Sequence, residues 1–148
     1  MITSNAERTW HTAEAEYDSL PILFRKPYIK VSEFSYLSKD YPVLLILKHH
    51  LQVVKSDGLP EGGYNQSLEE FDLSITAPFK IDTNGIVGLI ETYAGKRTYY
   101  IYITEFFKVS EFVETLRNRF PGENCTVEVE PDSTWRLLNG YARDFGFP

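Results

Sequence analysis

Val43-Leu44-Leu45-Ile46-Leu47 is an unbroken apolar run within Tyr41–Val54. A run of strand length with no polar face predicts a strand covered on both sides. Cys125-Thr126-Val127-Glu128-Val129-Glu130 alternates cleanly instead, and predicts a strand with one apolar face. Ile86–Tyr93 and Arg97–Thr104 are β-patterned runs joined around Ala94–Gly95–Lys96, a hairpin. Upstream, Arg8–Tyr17 and Ile22–Tyr28 predict two further strands around an Asp18-Ser19-Leu20-Pro21 turn.

Helical spacing occupies the intervals. Residues 29–40 form a mixed connection with a helical turn near Ser32–Ser38. Ser67-Leu68-Glu69-Glu70 matches a capping box, in which the Ser and Glu side chains satisfy backbone N–H groups at a helix start. Leu68, Phe71, Ile75 and Phe79 continue it as a stripe that Pro78 should end or kink. Val109, Phe112, Val113, Leu116 and Phe120 mark one face of a second helix, stopped by Pro121–Gly122. Asp132 or Ser133 caps a last helix bearing Trp135, Leu138, Tyr141, Ala142 and Phe145. Ser56–Gln66, rich in turn residues, reads as a loop.

From Tyr41 onward the order is strand, helix, strand, strand, helix, strand. That is the βαββαβ pattern of a ferredoxin-like fold, so the chain is expected to be an α+β protein. The expected organisation is one domain over 1–148: an N-terminal hairpin extension over 1–40, the ferredoxin-like core over 41–131, and a C-terminal helix over 132–148 packed at an end of the sheet.

Composition narrows the function more than it identifies it. With 148 residues, 43% of them hydrophobic, the chain can bury a sizeable core. The net charge is -6, and all of the excess acid falls after residue 60. An acidic surface disfavours nucleic-acid backbones, which are bound by Lys and Arg displacing counterions. The single cysteine, Cys125, excludes an intramolecular disulfide and fits a reducing compartment. No apolar run reaches membrane-spanning length, and the amino terminus lacks the pattern of a secretion signal, so a cytoplasmic location is expected.

No nucleophile elbow, phosphate loop or dinucleotide fingerprint occurs in the chain. His49 and His50 are adjacent at a strand end, so their side chains should face opposite ways, and no His/Cys/Asp/Glu set has zinc-ligand spacing. Cys125 reads as a small buried thiol. No catalytic residue, metal site or cofactor is therefore assigned. Arg25 follows the apolar Ile22-Leu23-Phe24, where a buried guanidinium would need an acidic partner. Tyr100 and Tyr102 share one strand face and Tyr99, Ile101 and Ile103 the other. Tyr100 and Tyr102 read first as packing residues; if helices cover only the second face, they instead form an amphipathic contact surface.

The candidate binding residues are thus Arg25, His50, Arg97, Tyr100 and Tyr102. The leading expectation is a non-catalytic protein-binding or regulatory module. It would work through the tyrosine face or the Ser56–Gln66 loop, and a second copy of the chain is one partner that suits the tyrosine face. One alternative is a small hydrolase or transferase, with His50 as general base and Arg25 or Arg97 holding an anion. Another is RNA binding by stacking on Tyr100 and Tyr102.

One set of residues adds a resemblance. The hairpin Val87-Gly88…Thr92…Gly95-Lys96-Arg97…Tyr99-Tyr100-Ile101-Tyr102 is similar to that of a bacterial family, the domain of unknown function, family 695. Trp10, Pro21 with Arg25, Pro42, Gly58-Leu59-Pro60, Leu68-Glu69-Glu70 and Asp132…Trp135 follow in the same order. One departure is the late aromatic, Tyr141, after Trp135. Some members of that family look joined to a domain similar to protein inhibitors of ribonuclease E. The resemblance therefore implies a regulatory or protein-binding role.

Overall fold

The computed structural model describes residues 3–147. Among them are β1 (Trp10–Tyr17), β2 (Leu20–Pro27), α1 (Phe34–Asp40), β3 (Val43–His50), α2 (Gly62–Ser67), α3 (Glu69–Thr76), β4 (Gly85–Tyr93), β5 (Lys96–Ile103), α4 (Val109–Arg119), β6 (Asn124–Pro131) and α5 (Arg136–Phe145). The fold is α+β. The strands form one six-stranded sheet in the order β1-β2-β4-β5-β3-β6, with every neighbouring pair antiparallel. β3 and β4 therefore run parallel to one another with β5 between them.

Both hairpins close on two residues with positive φ, Asp18 and Ser19 in the first and Ala94 and Gly95 in the second. Such turns carry the twist that flanking strands need. The first turn is shorter than the sequence suggests, because Leu20 and Pro21 belong to β2.

Alternation along the central strands builds two cores. Leu45, Leu47, Tyr99, Ile101 and Ile103 pack with Phe71, Ile75, Phe79 and Leu116 from the α3 and α4 side. Leu44, Ile46, Ile86, Leu89, Tyr100 and Tyr102 pack with Phe34 and Leu37 of α1 and with Trp135 and Leu138. The continuous apolar run in β3 is the signature of this double coverage.

The C-terminal helix is where the sequence reading needs correction. α5 lies across a sheet face, not over an end. Trp135, in the left-handed conformation at φ 55°, is fully buried just before the helix. Its ring stacks on Tyr102 at 4.4 Å, and its indole N–H donates to the Tyr41 carbonyl at 2.8 Å. Asp132 caps α5 by accepting from the N–H groups of Arg136 and Leu137 at 2.8 and 3.2 Å, and also accepts a hydrogen bond from the Tyr102 hydroxyl at 2.8 Å. Gly88 makes room for this packing: a Cβ there would lie 3.3 Å from the Tyr102 ring and 3.4 Å from Leu138.

A second correction concerns residues 56–67. The segment expected to be a loop contains α2, capped by the Glu61 carboxylate, which accepts from Gly63 and Tyr64 N–H at 2.9 Å each. Ser67 ends α2 by donating to the Tyr64 carbonyl, and does not cap α3. The loop before α2 is pinned to the β4–β5 turn by Gly95 N–H donating to the Gly58 carbonyl at 2.8 Å. Gly58 has φ +85°, and a Cβ there would stand 2.8 Å from Ala94 Cα, so the close approach requires glycine.

A polar cluster lies beside the N-terminal hairpin. Lys26 is only 2% exposed, and its ammonium donates to the Pro27 carbonyl at 3.0 Å. Burial lowers its pKa to about 8, with the Arg8 charge acting in the same direction and Glu33 opposing. Because the folded value lies below the unfolded one, the unfolded chain binds more protons between about pH 8 and 10.5. Stability should therefore rise with pH from 8 upward. Above about pH 10 it should fall again, since buried Tyr99, Tyr102 and Tyr141 resist ionisation that the unfolded phenols accept. Denaturant titrations at several pH values check this. Lys26→Met should abolish the rise, and a Lys26→Met protein with the wild-type slope would refute the assignment.

Candidate functional site

Arg25 and Arg97, far apart in sequence, line one cleft of about 540 Å³ between the β1–β2 hairpin and the α2–α3 segment. Arg25 projects from β2 toward α3 and forms an ion pair with Asp72, although its side chain is 38% exposed and is not the buried guanidinium the preceding apolar run suggests. Its guanidinium also lies 5.9 Å from the centre of the Trp10 ring. Asp72 has a second donor, the hydroxyl of buried Tyr99, at 2.6 Å. Burial and the Asp72 charge raise the Tyr99 pKa, keeping the phenol a donor. Asp72 is thereby occupied by Arg25 and Tyr99.

Arg97 is held differently. Its Nε donates to Thr92 Oγ1 at 3.0 Å and an Nη donates to Asn65 Oδ1 at 2.7 Å. Both acceptors are neutral, and among the described residues no carboxylate lies within ion-pair distance of Arg97. Leu23, Leu68 and Ile90 give the cleft apolar walls, while Glu14 and Glu69 stand on its lining as well. The arrangement offers a fixed guanidinium with free donors beside an apolar surface, a geometry suited to one carboxylate. The additional acids repel a polyanion.

The other candidates lie elsewhere. His50 is paired in register with Lys96 and Asn124 at the end of β3, on the sheet face opposite to Arg25 and Arg97. The two arginines and His50 therefore do not converge, which removes the hydrolase arrangement built on them. His49 faces the α3 side: it is buried against Phe71 and bonded through Nε2 to Glu123 at 2.8 Å. Burial lowers its pKa more than Glu123 raises it.

Tyr102 is fully buried under Trp135, and Tyr100 is 9% exposed with its hydroxyl 3.3 Å from that of Tyr141. The expected open tyrosine face is covered by α5, so these rings are not free to stack on bases or to meet a second copy. Among the described residues no group of three or more His, Cys, Asp or Glu is placed to hold a metal ion. No helix of the described residues is long and apolar enough to cross a membrane.

Sequence reasoning missed Asp72, Tyr99 and Asn65 as members of this cleft. A signal for Asp72 was present: it stands four residues after Leu68 and three before Ile75, on the flank of the buried stripe, where a carboxylate needs a partner. Asn65 carried no such signal, because the segment reads as a loop.

Comparison with known proteins agrees with the hairpin resemblance. The model of a family of unknown function, DUF695, matches residues 8–141, a span that includes Arg25, Asp72, Arg97 and Trp135. No curated protein and no solved structure matches the chain. With most of its length matched, the chain belongs to the DUF695 family.

Proposed function

We propose that this chain is a non-catalytic binding module that receives an acidic side chain or carboxyl terminus of a partner protein in the Arg25–Arg97 cleft. The observation carrying this reading is the Arg97 guanidinium, fixed by the neutral acceptors Thr92 and Asn65 and, among the described residues, without a carboxylate in ion-pair distance. Asp72 neutralises Arg25, and Arg97 stands beside apolar walls with Glu14 and Glu69 on the same lining but, among the described residues, outside ion-pair distance of it. A regulatory role in a bacterial cytoplasm suits such a module, and a buried free thiol at Cys125 is compatible with a reducing compartment. We read the core as ferredoxin-like. The order β6-β3-β5-β4, with α3 between β3 and β4 and α4 between β5 and β6, supports that assignment.

A peptide array tests the function. Short peptides with one glutamate are compared with their glutamine counterparts, using the whole chain as probe. Glutamate peptides should be retained, and Arg97→Ala should weaken them by about tenfold or more, as loss of a charged hydrogen-bond pair does. Equal retention of the glutamine peptides, or an Arg97→Ala protein that binds unchanged, would reject the reading.

A further inference from the structure

We propose that the cleft between α5 and the β4 end of the sheet is a second binding site, taking an alkylammonium or guanidinium group between aromatic rings above Glu91. This cleft, of about 980 Å³, lies on the opposite sheet face from the Arg97 cleft. Its position follows from an irregularity in β4. The register between β4 and β5 shifts between Val87 and Leu89, and beyond the shift Leu89, Glu91 and Tyr93 face α5. The bulge thus puts a carboxylate where an apolar core would otherwise continue.

Glu91 is half-buried, and among the described residues its one side-chain hydrogen-bond partner is the Tyr141 hydroxyl at 2.6 Å. Among the described residues no Lys, Arg or His lies within ion-pair distance of it. The basic groups near it are Lys48, two strands away in register through Thr98, and Arg136 on the cleft lining. Burial holds the Glu91 carboxyl above its usual range, the mark of a charge that lacks compensation. A carboxylate withdrawn from water costs free energy until a cation meets it.

The walls around it are suited to such a cation. Tyr17 and Tyr93 meet edge to face at 5.6 Å, and Tyr141 and Phe145 stack at 5.7 Å. All four rings line the cleft, and Tyr17 is 58% exposed. Ring faces attract ammonium and guanidinium groups while rejecting anions. Of the remaining acids, Asp132 is committed to capping α5 and Asp144 sits beside Arg143, whereas Glu130 lines the cleft without an ion pair. The inference does not depend on the Arg97 site, since the two clefts share no lining residue.

The test uses two cationic probes on the whole chain, 1,5-diaminopentane and N-acetyl-lysine methylamide, followed by the NMR shifts of Tyr93 and Tyr141. The neutral control is N-acetyl-norleucine methylamide. Saturable shifts with a cationic probe and none with the control support the site. Response to the diamine alone identifies a free amine as ligand, and response to both identifies a lysine side chain of a partner. Glu91→Gln keeps an acceptor for Tyr141 and should weaken binding by about tenfold, while Tyr93→Leu should weaken it with the charge intact. Arg97→Ala should leave it unchanged. Equal response to the neutral control, no saturable response to either cation, or full binding by Glu91→Gln would overturn the proposal.

Discussion

Glu33→Ala is expected to destabilise the protein by about 3–5 kcal/mol, the range for breaking one side of a buried ion pair. Glu33 receives both terminal nitrogens of the Arg8 guanidinium, at 3.1 and 3.2 Å, and the Arg8 side chain is only 2% exposed. The same carboxylate accepts the Lys30 N–H at 2.8 Å and the Tyr36 hydroxyl at 3.0 Å. Burial pushes the Glu33 carboxyl up, but these donors together hold it below the usual range. Its contribution is therefore present above the unfolded carboxyl pKa and is lost as pH falls through the lower folded value. Alanine would leave Arg8 and Lys26 buried with like charge and no acid to offset them. Replacing both members of the pair, as Arg8→Met with Glu33→Leu, should recover most of the loss, since the desolvation of two ions disappears with them. Urea unfolding of the single and double variants measures both effects. A single variant within about 1 kcal/mol of wild type would show that the pair is solvated in solution.

Trp135→Ala should cost a similar amount, about 3–5 kcal/mol, as large aromatic truncations in cores do. The indole fills the space between Tyr102 and Phe34 and satisfies the Tyr41 carbonyl. Trp135→Phe separates the two contributions: it keeps most of the apolar contact and loses the hydrogen bond, at a cost of about 1–3 kcal/mol. The distinctive outcome is local. With its anchor removed, α5 should loosen from the sheet, and the Leu138 N–H, which donates to the Tyr102 hydroxyl at 3.3 Å, should exchange faster. Unchanged exchange at Leu138 in a destabilised Trp135→Ala protein would mean that α5 is held by other contacts.

The sheet was largely legible because its signals are local. The Val43–Leu47 run announces a strand covered on both faces, and the β4–β5 hairpin lies almost where its alternation and Gly95 place it. The placement of α5 was not legible, and the tyrosines explain why. Tyr100 and Tyr102 carry rings for a core and hydroxyls for a surface, so alternation alone cannot say which use the fold makes of them. In the structure their hydroxyls find Tyr141 and Asp132, both supplied by the C-terminal segment. β6 shows a related limit. Its alternation is clean, yet Val129 is 50% exposed because the strand is an edge with little packed against that end.

The candidate site was legible in halves. The apolar residues before Arg25 demand an acid, but nothing in the sequence says that this acid is Asp72, 47 residues away on a helix. Arg97 stands beside a hairpin turn, and no residue near it in the chain marks Asn65 as its partner. The pinning of Gly58 against the β4–β5 turn carries α2 to its side and gives it Asn65 as a partner. Tertiary contacts of this kind convert a surface arginine into an oriented one.

The most direct measurement is the NMR signal of the Arg97 Nε–H during titration with N-acetyl-glutamate methylamide, with the glutamine compound as control. Carboxylate recognition in the cleft requires a saturable shift of Arg97 with the glutamate probe that added salt weakens. Arg25, already paired with Asp72, should move less. A shift of equal size with the glutamine probe, or no saturable movement of Arg97 with either, would contradict a carboxylate-binding site at this position.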